Sequence, residues 1–476
     1  MATEDFRGFL RRLEDRGELA RIKREVDTKF EISGYTLAAY LKGKLQREPA
    51  LFFENVRGFD IPVVTNVFGT YKRFALALDA DANDLFHCLV DRYDRMVEPQ
   101  RVSTGPCKDH VMVADAVDLL KLPVMWWNEF DAGPYITAGV VITKDLNTGK
   151  HNAGRYRLQL KGKDRLGILL SERQHVGRHY AIARERGEKE IDVAIAIGVP
   201  PALELASVAT IPYEWEEYAW AAGNTEPPEP IQLVRGESVD LYVPATSEFV
   251  IEGKIPIGEY EEEGPLGEFT GYYSGKYSNP VIHVTALSHR ANPIMVGIHM
   301  ANAPGENLLI GDYYEAVGLY REVKRLVPEV TGIRYLFSWY TIVAQVAKPR
   351  KYLGIARRVA DAVWSNKVGS YCKTVIVVDD DVDIYNDGQI FWAMSVRTQP
   401  DADVWVSSNC PGYGIDPSER ELGVRSIGGL GVSRVTSRLL WDATESLLLS
   451  TAIRVIDPPP GFETILRQYE EETTHS

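Results

Sequence analysis

Cysteine is scarce in this chain. The four present, Cys88, Cys107, Cys372 and Cys410, are scattered, and no C-x-x-C pair occurs. That excludes a disulfide framework and a zinc knuckle, and leaves each cysteine reading as a small buried apolar residue. No apolar run approaches the roughly 20 residues of a membrane span, so no membrane partner is expected. The first residues, Met1-Ala-Thr-Glu-Asp-Phe-Arg7, lack the basic and then apolar order of a signal peptide, which makes the cytoplasm the expected location. Positive charge is also in deficit. With 53 Lys and Arg against 67 Asp and Glu, the net charge is −14, and a nucleic-acid partner, which needs a basic surface, is not expected. Internal repeats and low-complexity tracts are missing as well.

What is there suits a multidomain globular protein. A chain of 476 residues, 45% apolar, can form two or three domains with ample core. Residues 4–18 read as an amphipathic helix with Phe6, Phe9, Leu10 and Leu13 on one face. Apolar runs at 50–53 and 61–66 and a helical stretch near 80–93 complete an N-terminal α/β domain over residues 1–115. The middle is strand-rich: 135–143, a turn at Asn147-Thr-Gly149, then 153–160, 191–197, 241–243, 249–252 and 281–287. Antiparallel strands with few helices predict a split β-barrel over residues 116–311. Residues 223–230, rich in proline, must form a loop. After about residue 312, helices (313–327, 354–364) alternate with strands (339–346, 374–378), which predicts a C-terminal α/β domain over 312–476. Its tail, broken by Pro458-Pro-Pro460, is expected to dock on a neighbouring domain or subunit. The fold class is thus α/β (α+β) in three domains.

The segment Glu263-Gly-Pro-Leu-Gly-Glu268 carries the strongest chemical signal. Two glycines and a proline make it a backbone-defined loop that holds two carboxylates in fixed places. Such a loop suits proton chemistry, with one acid kept ionised and the other tuned to exchange a proton. On spacing alone it reads equally as a solvated acidic turn, since Glu259, Glu261 and Glu262 crowd the same place. Asn152-Ala-Gly-Arg-Tyr-Arg157 adds a guanidinium fork that fits a carboxylate. Ser171-Glu-Arg-Gln-His175 sets an imidazole beside an amide, and Glu216-Glu217-Tyr-Ala supplies an acid on a helix. Basic residues cluster at 155–165 and 173–186, as at an anion site or a solvated face. Asp379-Asp-Asp-Val-Asp383 reads as an exposed corner or helix entry rather than a cation site.

Taken in order, these segments resemble the UbiD family of prenylated-flavin-dependent decarboxylases. Val-Pro-Ala (243–245), Ile-Glu-Gly (251–253), Val-Asp-Asp-Asp-Val-Asp-Ile-Tyr (378–385) and Asp-Ala-Thr (442–444) extend the resemblance along essentially the whole chain. The resemblance implies a central domain that binds prenylated FMN. It also implies a divalent metal, Mn2+ or Mg2+, at Asn152, His175 and Glu217, with K+ as a further ion. Cofactor contacts are implied at Arg155, Tyr156, Arg157, Leu169, Leu170, Ser171, Gln174 and His175. Arg157, Glu263 and Glu268 match the family's catalytic network, with Arg157 binding the substrate carboxylate, Glu263 orienting it and Glu268 donating the proton. The implied reaction is reversible, non-oxidative decarboxylation of an aromatic, heteroaromatic or α,β-unsaturated acid. The implied partners are a flavin prenyltransferase that supplies the cofactor and further copies of the chain in a homodimer or homohexamer. One departure is that Arg438 stands nearest to where the family commonly places a lysine on the cofactor phosphate; another is the loop 223–230. Competing readings are a flavin-independent metal-dependent hydrolase with Glu268 as base, and a non-catalytic subunit of a carboxylase complex.

Overall fold

The computed structural model describes residues 4–43, 48–171, 174–300, 305–336, 339–412, 415–425, 432–447 and 461–473. The proline break at 458–460 and part of the 171–175 motif lie outside them. The described chain is a mixed α/β structure, as the sequence predicts, built on separate sheets. The N-terminal helix is Phe6–Asp15, capped by Asp5, whose side chain accepts from the Gly8 N–H, and it buries Phe6, Phe9, Leu10 and Leu13. It covers a four-stranded sheet ordered Leu19–Ile22, Ala50–Phe53, Val63–Thr65 and Met295–Gly297. The last strand comes from far along the sequence and pairs in parallel with Val63–Thr65, tying the N-terminal layer to the central one.

The central sheet follows the order Tyr135–Ile136, Leu158–Leu160, Arg165–Ile168, Tyr277–His289, Phe249–Pro256, Glu190–Ile197, Val140–Lys144 and His151–Arg155, all pairs antiparallel. Its two ends are joined by very short connections. Residues 156–157 link the strand at one edge to Leu158–Leu160 near the other, and residues 137–139 link Tyr135–Ile136 to Val140–Lys144. Two or three residues reach no more than about 10 Å, so the sheet must roll until its edges meet. This closure without a full ladder is the split barrel. It also corrects the element boundaries: the runs 135–143 and 153–160, each continuous in hydrophobic pattern, are broken where the chain crosses the seam.

The long helix Glu306–Leu326 leads into the C-terminal sheet, ordered Val330–Tyr335, Thr341–Val346, Thr374–Asp379, Val432–Asp442 and Val404–Pro411, with Arg420–Arg425 beside Val432–Asp442. The helix starts several residues before the apolar pattern does. Its first turn holds a buried acid, Glu306, which accepts from the Phe68 N–H at 2.7 Å. The acidic run after Thr374–Asp379 is engaged by cations: Lys351 holds Asp379 at 2.9 Å, Lys348 holds Asp381 at 3.1 Å, and Arg397 grips Asp381 at 2.7 Å.

Candidate active site

Arg157 lies on the seam of the barrel, in the two-residue link Tyr156–Arg157, and its side chain is 5% exposed. Its Nη2 donates to Glu263 Oε2 at 2.8 Å. Its Nη1 donates to Glu268 Oε1 and to Ser274 Oγ, the latter at 3.1 Å. Its Nε–H has no acceptor among the described residues. Burial works against the guanidinium's charge, but the two carboxylates outweigh it and hold Arg157 firmly protonated.

The two acids reach Arg157 from opposite ends of one loop. Glu263 closes the strand Tyr260–Glu263, which pairs with Tyr277–His289. Gly264 then turns at φ +86°, and a Cβ there would stand 2.4 Å from the Gly275 carbonyl oxygen, so only glycine fits. The loop returns through Ser274 N–H to the Leu266 carbonyl at 2.8 Å and Glu268 N–H to the Tyr272 carbonyl at 2.9 Å. The acidic residues at 259, 261 and 262 are partly or fully exposed, whereas Glu263 and Glu268 are buried. The surface-turn reading of the segment therefore fails at the two positions that matter.

The surroundings of the two acids are unequal. Glu263 also receives the Tyr135 hydroxyl at 3.0 Å and the Asn279 amide at 3.1 Å, so three donors converge on it. Among the described residues, Glu268 accepts from Arg157 alone. Burial pushes the Glu268 carboxyl above its usual range, Arg157 draws it back, and the charges of Glu263 and Asp131 push it up again, leaving it raised. Tyr135 is likewise driven upward by burial and the charge of Glu263, so it stays a neutral donor.

Asn152, five residues before Arg157, anchors a second cluster, within about 17 Å of chain reach. Its Nδ2 donates to Glu217 Oε1 at 2.7 Å and lies 3.1 Å from His175 Nδ1. Glu217 Oε2 accepts from the Ala153 N–H at 2.8 Å. Glu217 opens the helix Glu217–Gly223 and His175 opens the helix His175–Glu185, so helix starts aim both side chains at the strand edge. Burial drives Glu217 up to about 7, and burial with the nearby charges of Lys367 and Arg178 drives His175 down to about 4. His175 is therefore a neutral imidazole, and Glu217 is a buried carboxyl without a permanent cation. Asn152 Oδ1 is buried with no partner among the described residues. No three His, Cys, Asp or Glu side chains gather there or elsewhere in the described residues, so any metal would rely on the amide oxygen. An orphaned amide oxygen, one neutral imidazole and an uncompensated carboxyl suit a hard divalent cation.

The other expected contacts are more dispersed. Arg155 pairs with buried Glu204 at 3.4 Å, and burial raises Glu204 to about 7. The Tyr156 hydroxyl accepts from the Val176 N–H at 3.4 Å, at the start of the His175 helix. Leu169, Leu170 and Ser171 follow the strand Arg165–Ile168, and Gln174 Oε1 accepts from the Ser171 N–H at 3.1 Å. Arg438 donates to the Ser370 carbonyl at 3.0 Å and lies over the Trp364 ring. The cations acting on His175 are instead Lys367, three residues before Ser370, and Arg178. Tyr135, Ser274, Asn279, Asp131 and Lys367 were not apparent in the sequence, since none belongs to a motif.

Known proteins resemble the chain along its length. Three family models match successive parts of the chain: the N-terminal (10–93), Rift-related (100–303) and C-terminal (308–443) domains of 3-octaprenyl-4-hydroxybenzoate carboxy-lyase, UbiD. A phenolic acid decarboxylase of Sedimentibacter hydroxybenzoicus is 34% identical, covering 97% of this chain and 96% of its own. A phenolic acid decarboxylase of Bacillus subtilis is also 34% identical, over 93% of both chains. Among solved structures, HmfF of Pelotomaculum thermopropionicum, a UbiD-class enzyme in complex with FMN, is similar with a TM-score of 0.85 and 34% identity, covering 98% of this chain and all of its own. Vanillic acid decarboxylase of S. hydroxybenzoicus in closed form has a TM-score of 0.85 and 32% identity over 99% of both chains. Matched along nearly its whole length by family models, relatives and structures alike, the chain belongs to the UbiD family of carboxy-lyases.

Proposed function

We propose that this chain reversibly decarboxylates an aromatic, heteroaromatic or α,β-unsaturated carboxylic acid, using prenylated FMN. Arg157, held between two buried carboxylates of unlike surroundings, is the observation that carries this reading. Loss of CO2 from an sp2 carbon leaves an in-plane carbanion that no side chain can delocalise, and the bound prenylated flavin supplies the electron sink. HmfF, similar over the whole chain, is known with FMN and with prFMN, which supports that cofactor here. Asn152, His175 and Glu217 would hold Mn2+ or Mg2+ beside the cofactor phosphate. Lys367 and Arg178 supply the positive field next to that cluster. Lys367 suits the phosphate better than Arg438, whose guanidinium is turned to the Ser370 carbonyl. Arg155 and Tyr156, at the end of the strand His151–Arg155, and Leu169, Leu170, Ser171 and Gln174, between the strand Arg165–Ile168 and the His175 helix, would line the cofactor.

The chain's own part is to orient and to move a proton. Glu263, fixed by three donors, holds Arg157 in place. The free Arg157 Nε–H is the donor left for the substrate carboxylate. Glu268, raised by burial, retains its proton above the ordinary glutamate range and delivers it to the carbon that has lost CO2. In the reverse direction its carboxylate takes that proton back. The protein would work in the cytoplasm as a homodimer or homohexamer and depend on a flavin prenyltransferase. No observation favours a flavin-free hydrolase or a silent subunit. Protein co-expressed with a flavin prenyltransferase should carry a flavin chromophore and divalent metal. In D2O it should place deuterium where the carboxylate of an aryl or heteroaryl acid was. A colourless, flavin-free protein with no exchange on any such acid would overturn the proposal.

A further inference from the structure

Asp131 is 4% exposed and belongs to no motif. Its Oδ1 accepts from the Gly267 N–H at 2.8 Å, and its Oδ2 accepts from the Asn128 N–H at 2.7 Å and the Asn128 amide at 3.4 Å. A second bond, from the Ala132 N–H to the Pro265 carbonyl at 2.8 Å, ties the same two segments together. The Ala132 carbonyl in turn accepts from Gln159 Nε2 at 3.1 Å, two residues beyond Arg157. The turn 128–132 therefore clamps the loop from Pro265 to Gly267, immediately before Glu268. Burial raises Asp131, while its N–H donors and Arg157 favour its anion.

We propose that Asp131 is a positioning residue for the proton donor: it pins the backbone that carries Glu268 and, as a buried acid bonded to the Gly267 N–H next to it, extends the pH range over which Glu268 holds its proton. This rests on the reading of Glu268 as the donor. The charged groups acting on Glu268 come from three segments: Arg157 from the seam, Glu263 from the far end of its own loop, and Asp131 from the turn 128–132. Arg157 favours the carboxylate, and the two acids favour the protonated form. Asp131 makes no ion pair shown among the described residues, and its charge adds to burial and to Glu263 in favouring the acid. The Gly267 N–H bond also fixes where that acid points.

Infrared titration tests this without substrate or cofactor. The protonated-carboxyl stretch lost in Glu268→Gln reports Glu268 alone. Its midpoint should fall by about 0.5–1 pH unit in Asp131→Asn, which keeps an oxygen for the Gly267 N–H but removes the charge. Asp131→Ser, smaller and also uncharged, should shift it the same way if the amide disturbs folding. Asp131→Glu should restore most of the wild-type midpoint. In turnover, the fall of kcat with rising pH should move down by the same interval, with KM within about twofold. An unchanged midpoint in both uncharged variants overturns the inference about Asp131. A Glu268→Gln enzyme that still turns over at wild-type rate overturns the donor reading instead, wherever the midpoint lies.

Discussion

The Arg157 cluster and the Asn152 cluster lie on one stretch of chain, yet they solve charge burial in opposite ways. Around Arg157 the protein supplies both signs itself, one guanidinium between Glu263 and Glu268. Around Asn152 it supplies a carboxyl raised to about 7, an imidazole lowered to about 4 and an amide oxygen with no partner among the described residues. The first cluster is electrostatically complete without any ligand. In the second, the proposed divalent metal would supply the positive charge. Burial without a partner is costly, and such sites are retained where something binds. Under the proposed function, proton transfer and cofactor anchoring are separable, and variants in one cluster should spare the other.

The largest effect should come from Glu217→Ala. It removes the only carboxylate of the second cluster, so purified protein should lose bound metal, flavin absorbance and all turnover together. Metal removal by a chelator should have the same outcome, reversed by Mn2+. Glu268→Gln should lower turnover by about 10³-fold, within the range for a positioned acid, while metal and flavin contents stay at wild-type levels. Glu263→Gln should lower kcat about 10²-fold, because Arg157 loses its charged anchor and the single amide oxygen can accept on only one of the two sides that Tyr135 and Asn279 now occupy. Glu263→Ala should also destabilise the fold by about 3–5 kcal/mol in denaturant titration, since it strips a buried pair of one partner. The wild-type pH profile should fall on the alkaline side as Glu268 loses its proton, above the ordinary glutamate range because burial raises it. The smallest change should come from Lys367→Ala: about tenfold weaker flavin retention in dialysis, with kcat of the loaded fraction near wild type.

Much of this was legible in the sequence, and the part that was not has a common cause. The Gly264–Gly267 loop, the helix start at Glu217 and the fork at Arg157 are local features whose residue types dictate their structure. Tyr135 and Asp131 reach their targets across 128 and 136 residues, and no spacing rule connects them to Glu263 or Gly267. The hydrophobic runs 135–143 and 153–160 look continuous because the pattern records burial, whereas the breaks at 137–139 and 156–157 come from closing the barrel. The start of the long helix at Glu306 was hidden because its first turn buries polar side chains, among them Glu306 and Asn307. The acidic run at 379–383 gave no hint of its partners, since Lys348, Lys351 and Arg397 approach it from other elements.

The central claim is that one cluster moves the proton and the other holds the cofactor. The most direct test measures metal content, flavin absorbance and deuterium incorporation in D2O for Glu268→Gln and Glu217→Ala, prepared side by side with a flavin prenyltransferase. The account predicts that Glu268→Gln keeps metal and flavin but incorporates almost no deuterium, whereas Glu217→Ala loses all three. Near wild-type incorporation by Glu268→Gln, or a flavin spectrum unchanged by Glu217→Ala, would contradict it.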